Sequence, residues 1–420
     1  ARKVFDMKKN VWILFSACLL LSAVEGTARQ QKEFDSDVIY DEQKLPRYTL
    51  PPLLETAEGR VITSSQEWFN IRRPQILSLF ATMVYGAIPV PPSPLRVSAM
   101  TENDDPQFMG GKVTRRLIWI RFRNDQGSTD MRILVFTPNN ATEPVPSIMH
   151  LSFDDNQSEK LELNESKRNH LNNGVPIGDI VDRGYAYISV YHADLVGHNE
   201  VEFNSGIHPL FYKEGQSFPE AHEWGVLSAC GWTAMRALDY LETDDRIDHQ
   251  SVLLMGHSKL GKATLWAAAQ DQRFAGAISA QSGCGGAALW RRRSGETLEK
   301  ISRFPHWLCT NSRKFINREE DLPVDQHMLL ALIAPRPVYV ASAIEDTWAD
   351  PRGEYLSAYH ASEVYRLLGK KGLAEEESPS ANEPIIESDV GYHIRPGGHS
   401  VDPYDWVQFL DFADYHLKNE

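Results

Sequence analysis

Hydrophobic and polar positions fall into two rhythms along the chain. In its first part the apolar positions gather into short runs rich in Ile, Val and aromatic residues. Residues 113–122, 131–136 and 147–153 are such runs, bounded by Gly, Asn and Asp, and they read as strands. From Val181 onward strand-like and helix-like segments alternate. Residues 186–191, 251–255, 274–280, 337–343 and 390–394 read as strands, and 226–241, 262–270 and 357–368 as helices. Strands that are apolar on both faces need cover on both, so the alternation predicts a mostly parallel central sheet between two helical layers, a three-layer αβα sandwich. Residues 65–87 carry a mixed helical pattern with Pro74 as an internal break. The irregular stretch that follows Tyr191 and runs to Pro219 is long for a compact domain and is expected at a rim or lid. The charged segment 370–383 reads as a solvated connection.

The N-terminal segment has its own pattern. Lys8 and Lys9 precede an almost unbroken apolar run over residues 11–24, and the small residues Gly26, Thr27 and Ala28 follow. This is the layout of an export signal, with Met7 as the start and residues 1–28 removed. The run is too short for a comfortable membrane span, so export to the periplasm or the medium is expected, with no stable membrane insertion. Residues 29–64 are polar and Pro-punctuated and read as a leader; residues 65–420 show no internal repeat and read as one catalytic domain. At 42% hydrophobic and 24% charged residues, the 420-residue chain can bury a large core. Its net charge of −14 argues against nucleic acid as a partner, because phosphate binding requires clustered Lys and Arg. Once Cys18 leaves with the signal, Cys230, Cys284 and Cys309 remain, an odd number that allows at most one disulfide and suits three buried thiols. No CxxC pair or His cluster at metal-ligand spacing occurs, so no metal or cofactor is expected, and a monomer is.

The candidate chemistry centres on Gly256-His257-Ser258-Lys259-Leu260-Gly261, at the junction of a buried strand and a helix. This is the place of a nucleophile elbow, the strained strand-to-helix turn of an α/β-hydrolase fold. The position two before the serine needs almost no side chain, which Gly256 supplies. The usual G-x-S-x-G spacing is altered, since Leu260 holds the second glycine place and Gly261 follows one later. A serine needs a base held by an acid, and in this fold the acid and then the histidine follow the nucleophile in sequence. His399 is the candidate base, in the Gly-rich loop Arg395-Pro396-Gly397-Gly398-His399-Ser400; His393 and His416 fall in a strand and a terminal helix. Asp346 is the candidate acid, just past the strand at 337–343, with Glu345 beside it as the alternative and Asp350 third. The backbone N–H of Lys259 is the expected oxyanion donor.

Several stretches then point to one family. Gly256-His257-Ser258-Lys259-Leu260-Gly261-Lys262-Ala263, Ser282-Gly283-Cys284-Gly285-Gly286, Phe304-Pro305-His306-Trp307, the run from Ala334 through Asp346 to Glu354, and Gly397-Gly398-His399 occur in this order. Together they resemble the bacterial glucuronoyl esterases, carbohydrate esterase family 15, over residues 65–420. The resemblance implies a metal-free serine esterase that cleaves esters between 4-O-methyl-glucuronic acid of glucuronoxylan and lignin alcohols. It also implies that Lys262 and Glu296 hold sugar hydroxyls and that Trp348 forms an aromatic wall. The chain departs from the family at two places. Many members carry the catalytic Glu where this chain has Gln281, which moves the acid role to Asp346, as in some bacterial members. The residue after the nucleophile is often Arg, and Lys259 gives a flexible point charge instead. Two rival expectations remain: an acetyl-xylan or other carbohydrate esterase on the same fold, and a carbohydrate-binding protein without activity, which Gln281 suggests.

Overall fold

The computed structural model describes residues 37–196 and 203–418. Residues 1–28, read above as an export signal, and residues 29–36 of the leader lie outside the described residues. Strands β1 (Arg96–Gln107), β2 (Val113–Asn124), β3 (Gly127–Pro138), β4 (Val145–Ser152), β5 (Ala186–Tyr191), β6 (Ile247–His257), β7 (Gly276–Ala280), β8 (Val338–Ala343) and β9 (Val390–Arg395) form one sheet. Their order is β1-β2-β3-β5-β4-β6-β7-β8-β9. Pairing is antiparallel from β1 through β3 to β5 and parallel from β5 through β4 to β9.

The helices that matter here are α1 (Arg73–Met83), α2 (Ile177–Asp182), α3 (Val226–Leu241), α4 (Lys259–Gln270), α5 (Gln326–Ala331), α6 (Pro351–Leu367) and α7 (Pro403–Leu417). Side chains of α1, α3, α4, α5 and α6 pack on one face of the sheet, and those of α2 and α7 on the other. The continuous apolar run of β6 follows from this double cover. Val252 and Leu254 enter the first core, while Leu253 and Met255 enter the second, as the period of two requires. The arrangement is the α/β-hydrolase fold, as the alternation and the elbow predict.

Four departures from the sequence reading have physical causes. β1 was not anticipated, because it is an edge strand, solvated along nearly its whole length, with no apolar alternation to read. Pro74 does not break the helical segment; the turn before it, Trp68–Arg72, is π-helical, and Pro74 falls in the first turn of α1. α6 starts six residues before the predicted 357, with Pro351 in its first turn, where a missing N–H costs little. The stretch expected at a rim or lid is anchored on both sides of residues 197–202: Leu195, Phe203, Ile207, Leu210 and Phe211 are all buried in the first core.

The described residues from Pro46 onward form one compact unit. Part of the leader therefore belongs with the sheet: Leu53 and Ile62 are buried in the first core, and Arg72 donates to the carbonyls of Pro52 and Leu53. Cys230, Cys284 and Cys309 are buried thiols. No helix among the described residues is long and apolar enough to cross a membrane.

Candidate active site

The turn between β6 and α4 is dictated by close approaches. Ser258 has φ 56° and ψ −130°, a conformation a non-glycine residue adopts only under constraint. Its N–H donates to the carbonyl of Ala280 at 2.9 Å, which ties the turn to the end of β7. A Cβ at Gly256 would lie 2.4 Å from the backbone oxygen of Leu260, so only glycine fits. The displaced Gly261 has its own reason: a Cβ there would come within 2.9 Å of Ser282 Cβ and 3.0 Å of Ser279 Oγ. Leu260, in the usual glycine place, is fully buried in the first core.

Three predicted residues meet at this turn. His399 Nε2 lies 2.8 Å from Ser258 Oγ, and His399 Nδ1 lies 2.7 Å from Asp346 Oδ2. Asp346 is buried, whereas the His399 side chain remains 42% exposed, open to an incoming ester. The loops that carry them are stitched together: Ile344 N–H donates to Arg395 O at 2.9 Å, and Glu345 N–H to Gly397 O at 3.0 Å. This stitching turns Asp346 inward and leaves the Glu345 side chain exposed. Asp350, the third acid considered, pairs instead with Arg292 at 2.9 and 3.1 Å. His393 is buried between Tyr339 and Asp405, and His416 bonds the carbonyl of Ser388.

Lys262 and Glu296 come together from positions 34 residues apart. Lys262 Nζ donates to Glu296 Oε2 at 2.6 Å and to the carbonyl of Cys284 at 2.5 Å, with the ion pair almost wholly buried. The N–H of Glu296 in turn donates to the carbonyl of Trp348 at 2.8 Å, so the expected sugar-binding trio is physically connected. Gly283, at φ 58°, lets the following loop pass Glu296; a Cβ there would be 3.2 Å from Ala349 Cα and 3.3 Å from Glu296 Oε2. Trp348 is half-buried.

Three features go beyond the roles read from the sequence. The ammonium of Lys259 lies between two aromatic rings, 6.0 Å from Phe153 and 5.8 Å from Trp307, and Trp307 stacks on Phe304. Phe304 and Trp307 sit in one of the recognised stretches, whereas Phe153 carries no signal of its own. Glu354 lies beneath the site, fully buried, accepting from Gly283 N–H at 3.0 Å and Ser342 Oγ at 2.6 Å; burial pushes its carboxyl up to about 8. His257 packs its ring 4.5 Å from that of His399, and burial, followed by the charge of His399, lowers it to about 4. Among the described residues no group of three or more His, Cys, Asp or Glu side chains is placed to hold a metal ion.

Known proteins resemble the chain along most of its length. A family model described as glucuronyl esterase, fungi, matches residues 120–369. Carbohydrate esterase MZ0003, from an unknown prokaryotic organism, is 39% identical over 404 residues, covering 90% of this chain and 92% of that protein. The 4-O-methyl-glucuronoyl methylesterase 1 of Phanerochaete chrysosporium is 29% identical over 199 residues, 45% of this chain and 41% of its own. The solved glucuronoyl esterase from Solibacter usitatus superposes with a TM-score of 0.79 at 39% identity, covering 89% of this chain and all of that one. A match of this extent to both a family model and a prokaryotic relative settles the kinship that the five sequence stretches suggested. The chain belongs to the glucuronoyl esterases, carbohydrate esterase family 15, and is a carboxylic ester hydrolase.

Proposed function

We propose that the chain hydrolyses the ester between 4-O-methyl-glucuronic acid, or glucuronate, of glucuronoxylan and the alcohols of lignin, by way of an acyl-enzyme on Ser258. The observation that carries this reading is the continuous contact from Ser258 through His399 to Asp346. Buried Asp346 holds the Nδ1–H of His399, which leaves Nε2 to take the proton of Ser258 as its oxygen attacks the ester carbonyl. The N–H of Lys259 belongs to the first turn of α4, whose dipole favours the developing oxyanion, and the nearby ammonium adds charge. His399 then protonates the leaving alcohol, and water, activated by the same imidazole, releases the uronate.

The acyl half of the ester has a receiver in the Lys262–Glu296 pair. Two protons of Lys262 are committed to Glu296 and the Cys284 carbonyl. The third, with Glu296 Oε1, suits the vicinal hydroxyls of a pyranose, and Trp348 offers a flat apolar face beside them. A polymeric substrate of this kind lies outside the cell, which agrees with reading residues 1–28 as an export signal. We take the working form as a monomer.

Hydrolysis of methyl and benzyl glucuronate esters by wild type and Ser258→Ala tests the reading, with acetylated xylan as a parallel substrate. Wild type is expected to cleave the glucuronate esters and Ser258→Ala to lose that activity. Unchanged turnover in the variant would overturn the nucleophile; preference for acetylated xylan would overturn the substrate.

A further inference from the structure

Gln281, at the end of β7, is tied to the loop that carries His399. It follows β7, with φ 47°, and its N–H donates to Ala341 O at 2.7 Å, which roots it between β7 and β8. Its side chain is shielded from solvent, with the residue 1% exposed, so it does not reach the substrate. The amide grips the residue after His399 from both sides. Gln281 Oε1 accepts from Ser400 N–H at 2.8 Å, and Gln281 Nε2 donates to Ser400 O at 2.8 Å. The first of these bonds holds the peptide that joins His399 to Ser400.

The grip has a second wall. Arg395 donates to the same Ser400 carbonyl at 2.5 Å and to Ser400 Oγ at 3.2 Å, and is itself held by Asp405 at 2.7 Å. Gln281 Oε1 also lies 3.3 Å from Nε2 of His257, the ring packed against His399. An acceptor there suits the tautomer of neutral His257 that carries its proton on Nε2.

We infer that Gln281 is a positioning residue for His399: its amide fixes the 399–400 peptide and so holds the imidazole between Ser258 and Asp346. The task calls for one donor and one acceptor at a fixed spacing, which an amide supplies. A carboxylate would set an oxygen against the Ser400 carbonyl, and an aliphatic chain would leave both backbone groups of Ser400 without this partner. The inference rests on Ser258, His399 and Asp346 working together as proposed above.

The test uses Gln281→Met, close in volume but unable to form the two bonds, and the milder Gln281→Asn, whose shorter amide cannot span both Ser400 groups. Two readouts are followed: kcat and KM on benzyl glucuronate, and the rate at which a fluorophosphonate labels Ser258. The label needs His399 as base but no sugar contact, so it reports on Gln281 even if the substrate reading fails. In both variants kcat and the labelling rate are expected to fall together by about 10- to 100-fold, the scale of a catalytic group displaced by an ångström, with KM unchanged. Because Gln281 and Asp346 both act through His399, the loss in Gln281→Met combined with Asp346→Asn should be smaller than the product of the single losses. Wild-type kcat and labelling in a folded variant, a loss confined to KM, or fully multiplicative losses would each overturn the inference. If Gln281→Met does not melt cooperatively, Gln281→Asn decides by the same outcomes.

Discussion

Two adjacent carboxylates separate at the scale of single residues. Asp346 is buried against Nδ1 of His399 at 2.7 Å, and Glu345 faces solvent. Asp346→Asn should therefore lower kcat by about four orders of magnitude, through the wrong imidazole tautomer, while Glu345→Gln stays near wild type. Steady-state kinetics on benzyl glucuronate separates the two; an equal loss in both would sink the assignment. The Lys262–Glu296 pair makes a second prediction at this scale. Removing one partner of a buried pair strands the other, so Lys262→Met should destabilise the fold by about 3–5 kcal/mol, and combining it with Glu296→Gln should recover much of that. Chemical denaturation of the single and double variants measures it, and additive losses would contradict the coupling.

At the scale of elements, the site is made by turns that exclude a side chain and by loops that are stitched. A Cβ at Gly256 would strike the Leu260 backbone at 2.4 Å, and backbone cannot swing aside. Gly256→Ala should thus abolish fluorophosphonate labelling or soluble expression. Gly398, beside the candidate base, is the control: a Cβ there meets nothing within 4 Å. Gly398→Ala should keep near-wild-type kcat, so the two glycines, both inside recognised stretches, part on a simple labelling gel. Equal tolerance at both would mean the turn is not held as described. The elbow was legible in the sequence because strand, Gly256, Ser258 and helix are contiguous. The candidate acid was legible only to within a few residues, since the choice among Glu345, Asp346 and Asp350 depends on how the loop after β8 is stitched to the one after β9.

For the molecule as a whole, the buried carboxyl of Glu354 couples the site to pH. Burial raises it from 4.5 to about 8, so between those values the folded state holds a proton that the unfolded chain releases. Stability should therefore fall as pH rises through that window, by about 1.4 kcal/mol for each pH unit at the steepest and a few kcal/mol at most. Glu354→Gln, neutral at every pH and able to keep the bonds to Gly283 and Ser342, should flatten that slope in thermal melts recorded across the same window. An unchanged slope would show that another group carries it. Glu354 closes one of the recognised stretches, yet nothing in the sequence hinted at its role: it lies one helical turn into α6, and its partner is a loop 71 residues away.

The whole-molecule scale also separates what was local from what was not. The sequence by itself determined the layered α/β architecture, the strand-to-helix turn at Ser258 and the candidate base, because each is written in contiguous residues whose period or spacing has one physical reading. The double core around β6 is such a case, with a run apolar at every position that needs cover on both faces. Only the tertiary structure decided that β1 edges the sheet, because a solvated strand carries no apolar alternation. It alone brought Lys262 to Glu296 across 34 residues and Gln281 to Ser400 across 119. Such pairings depend on which strand ends lie side by side, and strand order is set by packing between elements distant in sequence.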